Sequence, residues 1–276
     1  MVKKQLIMEK ALELFAKHGF EATSVQQITE HCGISKGAFY LSFKSKDELI
    51  LALIDHFMQQ ITSEIDYAVK NTEVDQILHD FYYSVFDCFY KHSDFAKLLI
   101  KEQMRSFNKE LLLKMRSYDS LTDKTILFMI QRIYGSKVEK IQFDLIYSIK
   151  GLMNSYSTLL FFNNVPLDLN LLAQSLVEKT NILAEHMTTP FISKELNHLI
   201  NNHTNEEVTK EMIIEEIDLK IKEMEESIEK ESLILLKEQL QEPTFKRVIL
   251  KGLMENIQKH PHCKWISYLL RKYYQF

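Results

Sequence analysis

Ser24-Val-Gln-Gln-Ile-Thr-Glu-His-Cys-Gly-Ile-Ser-Lys-Gly-Ala-Phe-Tyr-Leu-Ser-Phe-Lys-Ser-Lys46 decides the reading of this chain. Val25, Ile28 and Cys32 recur at helical spacing. Ser24 and Gln27 form the S-x-x-Q pattern in which a hydroxyl and an amide side chain reciprocally satisfy unpaired N–H groups at a helix start. Gly33 can leave a helix in the left-handed conformation. Ile34 plugs the corner, and Ser35 is a good N-cap for a second helix. The spacing predicts that helix over Lys36 to Phe43, with Phe39 and Phe43 inward and Lys36, Gly37 and Tyr40 outward. Ser45-Lys46-Asp47-Glu48 is a second capping box and opens a third, longer helix. Helix, glycine turn and short helix is the helix-turn-helix arrangement, whose second helix enters a DNA major groove.

The match is dense enough to name a family. Ala11, Leu14, Phe15 and Gly19-Phe20 precede Thr23-Ser24-Val25, Ile28, Gly33-Ile34-Ser35-Lys36-Gly37, Phe39-Tyr40, Phe43 and Lys46-Asp47-Glu48-Leu49. At this fixed spacing the first sixty or so residues resemble the DNA-binding domain of TetR-family transcriptional regulators. Thr29 stands where that family usually carries Ala, and Leu41-Ser42 where it often carries His or Tyr. The resemblance implies an all-α protein: a three-helix DNA-binding domain over 1–46, a helical ligand-binding and dimerisation domain over 47–189, and a homodimer on double-stranded DNA with two-fold symmetry. It implies Ser35, Lys36, Gly37, Ala38 and Tyr40 at the major groove, and Thr23, Ser24, Gln26 and Lys46 on phosphates. It also implies a small, largely apolar inducer in the body, for which Phe86, Phe89, Met104, Phe107, Phe128, Tyr147 and Tyr156 are the candidates by residue type.

Composition fits a multi-domain helical protein. The chain has 276 residues with only 6 Gly and 4 Pro, which favours long uninterrupted helices. Net charge is −4, but residues 1–46 hold seven Lys against four Glu, a net +3 that leaves −7 for the remainder. A basic head on an acidic body suits a protein that presents one end to DNA. The three cysteines, Cys32, Cys88 and Cys263, are far apart and odd in number, so a reducing, cytoplasmic setting without disulfides is expected. Lys3-Lys4 leads into an amphipathic stretch containing Glu9 and Glu13 rather than an apolar export signal, and no membrane segment is expected.

Apolar periodicity predicts helices over 2–18, 46–70, 75–92, 97–107, 111–134, 140–163 and 169–187, then a polar linker over 197–205. The family resemblance stops near Pro190, and 190–276 is an extension. Within it, Ile214, Ile217, Ile221, Met224 and Ile228 recur at coiled-coil spacing, which predicts one acidic helix over 206–242. That stretch holds five Lys against thirteen acids, whereas 244–276 holds seven basic residues against one acid. The opposite charges favour the acidic helix folding against two basic helices broken at His260-Pro261.

No sequence fingerprint of an enzyme is present. His260-Pro261-His262-Cys263 has metal-ligand residue types, but its two His are too close to share a helix face and no second ligand cluster is evident, so neither metal nor cofactor is expected. The function expected is a dimeric repressor released from its operator by a small ligand. The alternatives are a DNA-binding regulator controlled by a protein partner through the extension, or a helical binding module that does not bind DNA.

Overall fold

The computed structural model describes residues 2–93, 109–162, 167–201, 208–258, 260, 262–274 and 276. Among these residues the structure is all-α, with no strand. The helices are α1 (Val2–His18), α2 (Val25–Cys32), α3 (Lys36–Tyr40), α4 (Lys46–Asn71), α5 (Ile77–Lys91), α6 (Lys109–Tyr134), α7 (Gln142–Phe162), α8 (Leu169–His186), α9 (Lys194–Asn201), α10 (Lys210–Glu223), α11 (Ile228–Gln241), α12 (Arg247–Gln258) and α13 (Lys264–Tyr274). The helix expected over 97–107 lies outside the described residues. Two compact units result, Ile7–Asn205 and Glu206–Phe276 with Met1–Leu6.

The first unit grows from the predicted stripes. On α1, Ile7, Ala11 and Phe15 are buried at four-residue spacing behind α2 and α3. On α4, Leu49, Leu53, Ile54, Phe57, Ile61, Ile65 and Val69 are buried, so one helix runs without interruption from the head into the body. α5 is the central body helix and packs on α4, α6, α7 and α8. Its Phe81, Tyr82, Val85 and Phe86 are fully buried, while Tyr90 points outward. Tyr82 and Thr180 of α8 share a buried hydroxyl–hydroxyl hydrogen bond of 2.7 Å. Burial pushes the Tyr82 hydroxyl far above its ordinary pKa, so it stays protonated as a structural link.

The segment expected to be a polar linker over 197–205 is helical over 197–201, within α9, and 202–205 lie outside the described residues. Ser193 caps α9 by accepting from the Leu196 N–H at 3.1 Å. Just before it, the Asp144 carboxylate, in the first turn of α7, accepts from the Phe191 N–H at 3.1 Å and the Ile192 N–H at 2.9 Å. Ile192 is buried beneath this clasp. A sequence window rich in Asn and His masked the cap and the long-range carboxylate.

The second unit corrects the single acidic helix. Its two pieces, α10 and α11, are separated by extended backbone at Met224 (φ −92°, ψ 143°). Ser227 caps α11 by accepting from the Lys230 N–H at 3.2 Å, with Glu229 and Glu231 in the first turn where the helix dipole favours acids. The coiled-coil reading fails because its last member, Ile228, is 68% exposed. Burial instead falls on Ile213 and Ile217 of α10 and on Leu233, Leu236 and Leu240 of α11. The four helices pack as a closed set: α10 with α11 and α13, α12 with α11 and α13. The acidic pair therefore folds against the basic pair, as the charge pattern suggests.

Candidate DNA interface and body cavities

The turn between α2 and α3 is built by local hydrogen bonds. Ser24 and Gln27 complete the reciprocal capping box: Gln27 N–H donates to Ser24 Oγ at 3.2 Å and Ser24 N–H to Gln27 Oε1 at 2.8 Å. Gly33 takes φ +66°, and its N–H and that of Ile34 close onto Glu30 O and Thr29 O at 3.1 and 2.9 Å. Ser35 Oγ then accepts from the Ala38 N–H at 3.2 Å. The α-helix proper is five residues, shorter than the eight expected, because the ladder tightens after Tyr40, where Ser42 N–H donates to Phe39 O at 2.8 Å. Phe39 and Phe43 are nonetheless both buried, so the head's core and the outward face keep their predicted sides. The second capping box is half formed: Ser45 Oγ accepts from Glu48 N–H at 3.0 Å, but the Glu48 carboxylate accepts from Lys44 N–H at 2.6 Å, not from Ser45.

Ser35, Lys36, Gly37 and Tyr40 lie on one exposed face, with Ala38 half-buried at its edge. A Cβ on Gly37 would meet nothing closer than Ser35 Oγ at 3.8 Å, so the space outside α3 is open to an approaching groove. Tyr40 is 54% exposed, and its ring packs edge-on to Phe39 at 5.4 Å. Lys36 Nζ donates to Gln26 Oε1 at 3.2 Å, and Gln26 Nε2 donates on to Glu30 Oε1 at 2.9 Å. This chain fixes which end of the Gln26 amide faces the recognition helix. Ser24 is exposed beside it, its hydroxyl also within 3.0 Å of Gln27 Oε1.

Two expected phosphate contacts are committed elsewhere. Thr23 is buried, and its hydroxyl donates to Gly19 O at 2.8 Å, across the exit of α1. Lys46 turns inward: its Nζ donates to Phe20 O at 2.7 Å and Thr23 O at 3.1 Å, and stands 4.2 Å from the centre of the Phe20 ring. Both residues brace the loop between α1 and α2. The only sequence signal for this was the pairing of Phe20 and Lys46 in the motif, which spacing alone does not connect. A third brace was missed altogether. His31 Nε2 lies 2.8 Å from Glu13 Oε2, and Lys10 Nζ donates to Glu13 Oε1 at 2.7 Å. Hydrogen bonds from Lys10 and His31 hold the Glu13 carboxyl below the usual carboxylate range. Burial pushes the half-buried Cys32 thiol up.

Among the described residues, the predicted ligand residues do not line one space. Phe86 is sealed in the core, and Phe89 packs on Phe57 at 6.0 Å. Phe128 and Tyr147 are exposed, and Tyr156 is half-buried beside Lys179. Met104 and Phe107 lie outside the described residues. Two clefts among the described residues lie apart from them. A cleft of about 650 Å³ between α6, α7 and α9 is lined by Leu127, Phe143 and Ile146 on its floor and by Lys124, Lys194 and His198 at its rim. A second, of about 470 Å³, is lined by residues including Leu78, Ile133, Val177 and Asn181. At its edge Tyr134 donates to Asn181 Oδ1 at 2.6 Å, and burial pushes the Tyr134 hydroxyl up to about 12. The count of aromatic residues on α5 misled because a 3.6-residue period sends most of them into the core rather than around a space.

A rigid helix-turn-helix with a solvent-facing second helix defines a DNA-binding protein. Residues 7–53 match the family model for bacterial regulatory proteins of the tetR family. Over that stretch the head of this chain is similar to the DNA-binding heads of the tetR family. The chain is 29% identical over 270 residues to the uncharacterized HTH-type transcriptional regulator YerO of Bacillus subtilis, covering 92% of this chain and 89% of that one. It is 26% identical to the uncharacterized regulator YuxN of the same organism, over 98% of both chains, so relatives of this length share its full extent. Among solved structures, the fatty acid degradation regulator FadR of Bacillus halodurans superposes with TM-score 0.56 at 20% identity, covering 68% of this chain and 97% of that chain. FadR of Bacillus subtilis, solved in complex with stearoyl-CoA, gives TM-score 0.53 at 20% identity, covering 67% of this chain and 99% of that chain. No described helix is long and apolar enough to cross a membrane.

Proposed function

We propose that this regulator is a homodimeric repressor that leaves its operator when a small, largely apolar ligand enters the body. The observation that carries the DNA part is the exposed set Ser35, Lys36, Gly37 and Tyr40, standing on a head whose core and braces are internally satisfied. In this reading Lys36 reads a guanine edge, oriented by Gln26, while Tyr40, Ser24 and Ser35 hold phosphates. One such short helix buries too little surface for specificity, so two heads on half-sites related by a two-fold are needed. Exposed apolar side chains on the last two body helices, Tyr147 and Leu159 of α7 and Leu171 and Ile182 of α8, offer the surface for pairing two copies. Residues 47–189 then serve as the ligand-binding and dimerisation domain.

The acyl ligand of the Bacillus subtilis FadR structure supports an apolar effector with a polar head for this chain. The ligand acts by preferring a body shape whose two heads are misplaced for adjacent major grooves. The test is fluorescence-anisotropy binding to the DNA upstream of the protein's own gene across a salt series, with Tyr40→Phe alongside and with long-chain acyl thioesters added. Affinity that falls steeply with salt, drops roughly tenfold in Tyr40→Phe through lost hydroxyl–phosphate hydrogen bonds, and collapses with the acyl thioester is expected. Salt-insensitive or absent binding there and in a selection from random duplexes would refute the operator reading.

A further inference from the structure

The last helical unit brings together three soft donors that lie far apart in the sequence. Cys263 sits on the turn between α12 and α13, held by its own N–H donating to His260 O at 3.0 Å. Its Sγ stands 3.6 Å from His260 Nδ1, on the same turn, and 3.7 Å from the Met224 Sδ, which follows α10. Metal–sulfur bonds of about 2.3 Å and metal–nitrogen bonds of about 2.0 Å place ligand atoms roughly 3.5–3.9 Å apart around one trigonal or tetrahedral ion. Both separations fall in that interval without any rearrangement. Cys263 is fully buried, whereas Met224 and His260 are half-buried, so the trio has a dry sulfur at its base and an approach from the side.

We propose that Cys263, Met224 and His260 form a binding site for a soft monovalent metal ion, Cu(I) by chemical class. Thiolate and thioether sulfur with one imidazole is a donor set that selects Cu(I) over harder ions. Charge points the same way. A thiolate, a thioether and a neutral imidazole around a +1 ion sum to zero, which suits a site with one fully buried ligand. A divalent ion held by the same three side chains would leave a net positive charge beside the buried sulfur. On binding, the S–H bond breaks, a sulfur–metal bond forms, and the proton passes to solvent. No oxidation or reduction accompanies the step, provided that the metal arrives as Cu(I).

The test is anaerobic competition of the full chain against a chromogenic Cu(I) chelator, with Ag(I) as a redox-inert second probe and Zn(II) as a borderline divalent competitor. One Cu(I) or Ag(I) per chain is expected, undisplaced by equimolar Zn(II). Cys263→Ser and Met224→Leu should each weaken it by at least about tenfold, in the range seen when a metal site loses ordering contacts. Met224→Leu conserves volume, so a helical circular-dichroism spectrum matching the parent separates loss of a ligand from loss of fold. Cys32→Ser and Cys88→Ser should leave binding unchanged. No retained Cu(I), retention equal to the parent in both Cys263→Ser and Met224→Leu, or preference for Zn(II) would overturn the assignment.

Discussion

Replacing Lys46 separates two readings of one cation: a phosphate clamp or an internal brace. Its ammonium donates to Phe20 O at 2.7 Å and Thr23 O at 3.1 Å. A hydrogen bond from a charged donor contributes about 1.5–3 kcal/mol, and a half-exposed lysine belongs at the low end, so the two bonds give about 3 kcal/mol. The Phe20 ring, 4.2 Å from the ammonium, adds about 0.5–1 kcal/mol. Lys46→Met keeps the aliphatic stem and loses both hydrogen bonds, while its thioether offsets the lost ring contact, so stability should fall by about 3 kcal/mol. The thermal transition of the Ile7–Asn205 unit should move down by about 6–12 °C at the 2–4 °C per kcal/mol expected for this size. Operator affinity should fall as well, because the loop that positions α2 loosens. The slope of log affinity against log salt should not change, since no phosphate contact is removed. Calorimetry and a salt series on the same preparation give both numbers. Unchanged stability with a salt slope smaller by about one per head would refute the brace and restore the phosphate clamp.

Thr180→Val should leave the Tyr82 hydroxyl buried without its 2.7 Å partner and cost about 1–3 kcal/mol in urea unfolding, a loss that adding Tyr82→Phe should largely recover. Gly33→Ala must place a Cβ at φ +66° and should cost about 1–2 kcal/mol, read by the same assay; an unchanged midpoint would mean that the turn relaxes to another conformation. The Glu13 carboxyl has its folded pKa held below the unfolded value by Lys10 and His31, so its tie between α1 and α2 is fully present above about pH 4.3 and is lost as pH falls through the lower folded value. Glu13→Gln should therefore flatten the acid limb of the stability–pH profile and leave the neutral plateau shape unchanged.

The head was readable in the sequence because its information is local. Ser24 with Gln27, Gly33 and Ser35 act within three or four residues, and each forms the bond its position predicts. The body helices followed from apolar period for the same reason. What escaped was carried by long-range polar contacts. Lys46 reaches back over more than twenty residues to carbonyls that any sequence could supply, and Asp144 reaches forward nearly fifty to two amide groups. Side-chain type does not announce such partners. The split between α10 and α11 escaped because Ile214 to Ile228 kept heptad spacing across the break, and that longer pattern outweighed the N-cap signal of Ser227. The cavity residues escaped because a space is defined by what several helices leave unfilled, and no single helix encodes that.

The uninterrupted course of α4 sets a mechanical gain for the whole regulator. Its 26 residues make a rod about 39 Å long. A tilt of about 5° at the body end carries the head end through roughly 3.4 Å, which is the rise of one base step along a DNA strand. An adjustment of that size, within reach of a few side chains repacking around α5, is enough to put the second recognition helix of a pair out of phase with its half-site. In the proposed dimeric repressor, the stiffness of this rod, rather than any large motion, sets how small an effector can be and still be felt at the operator.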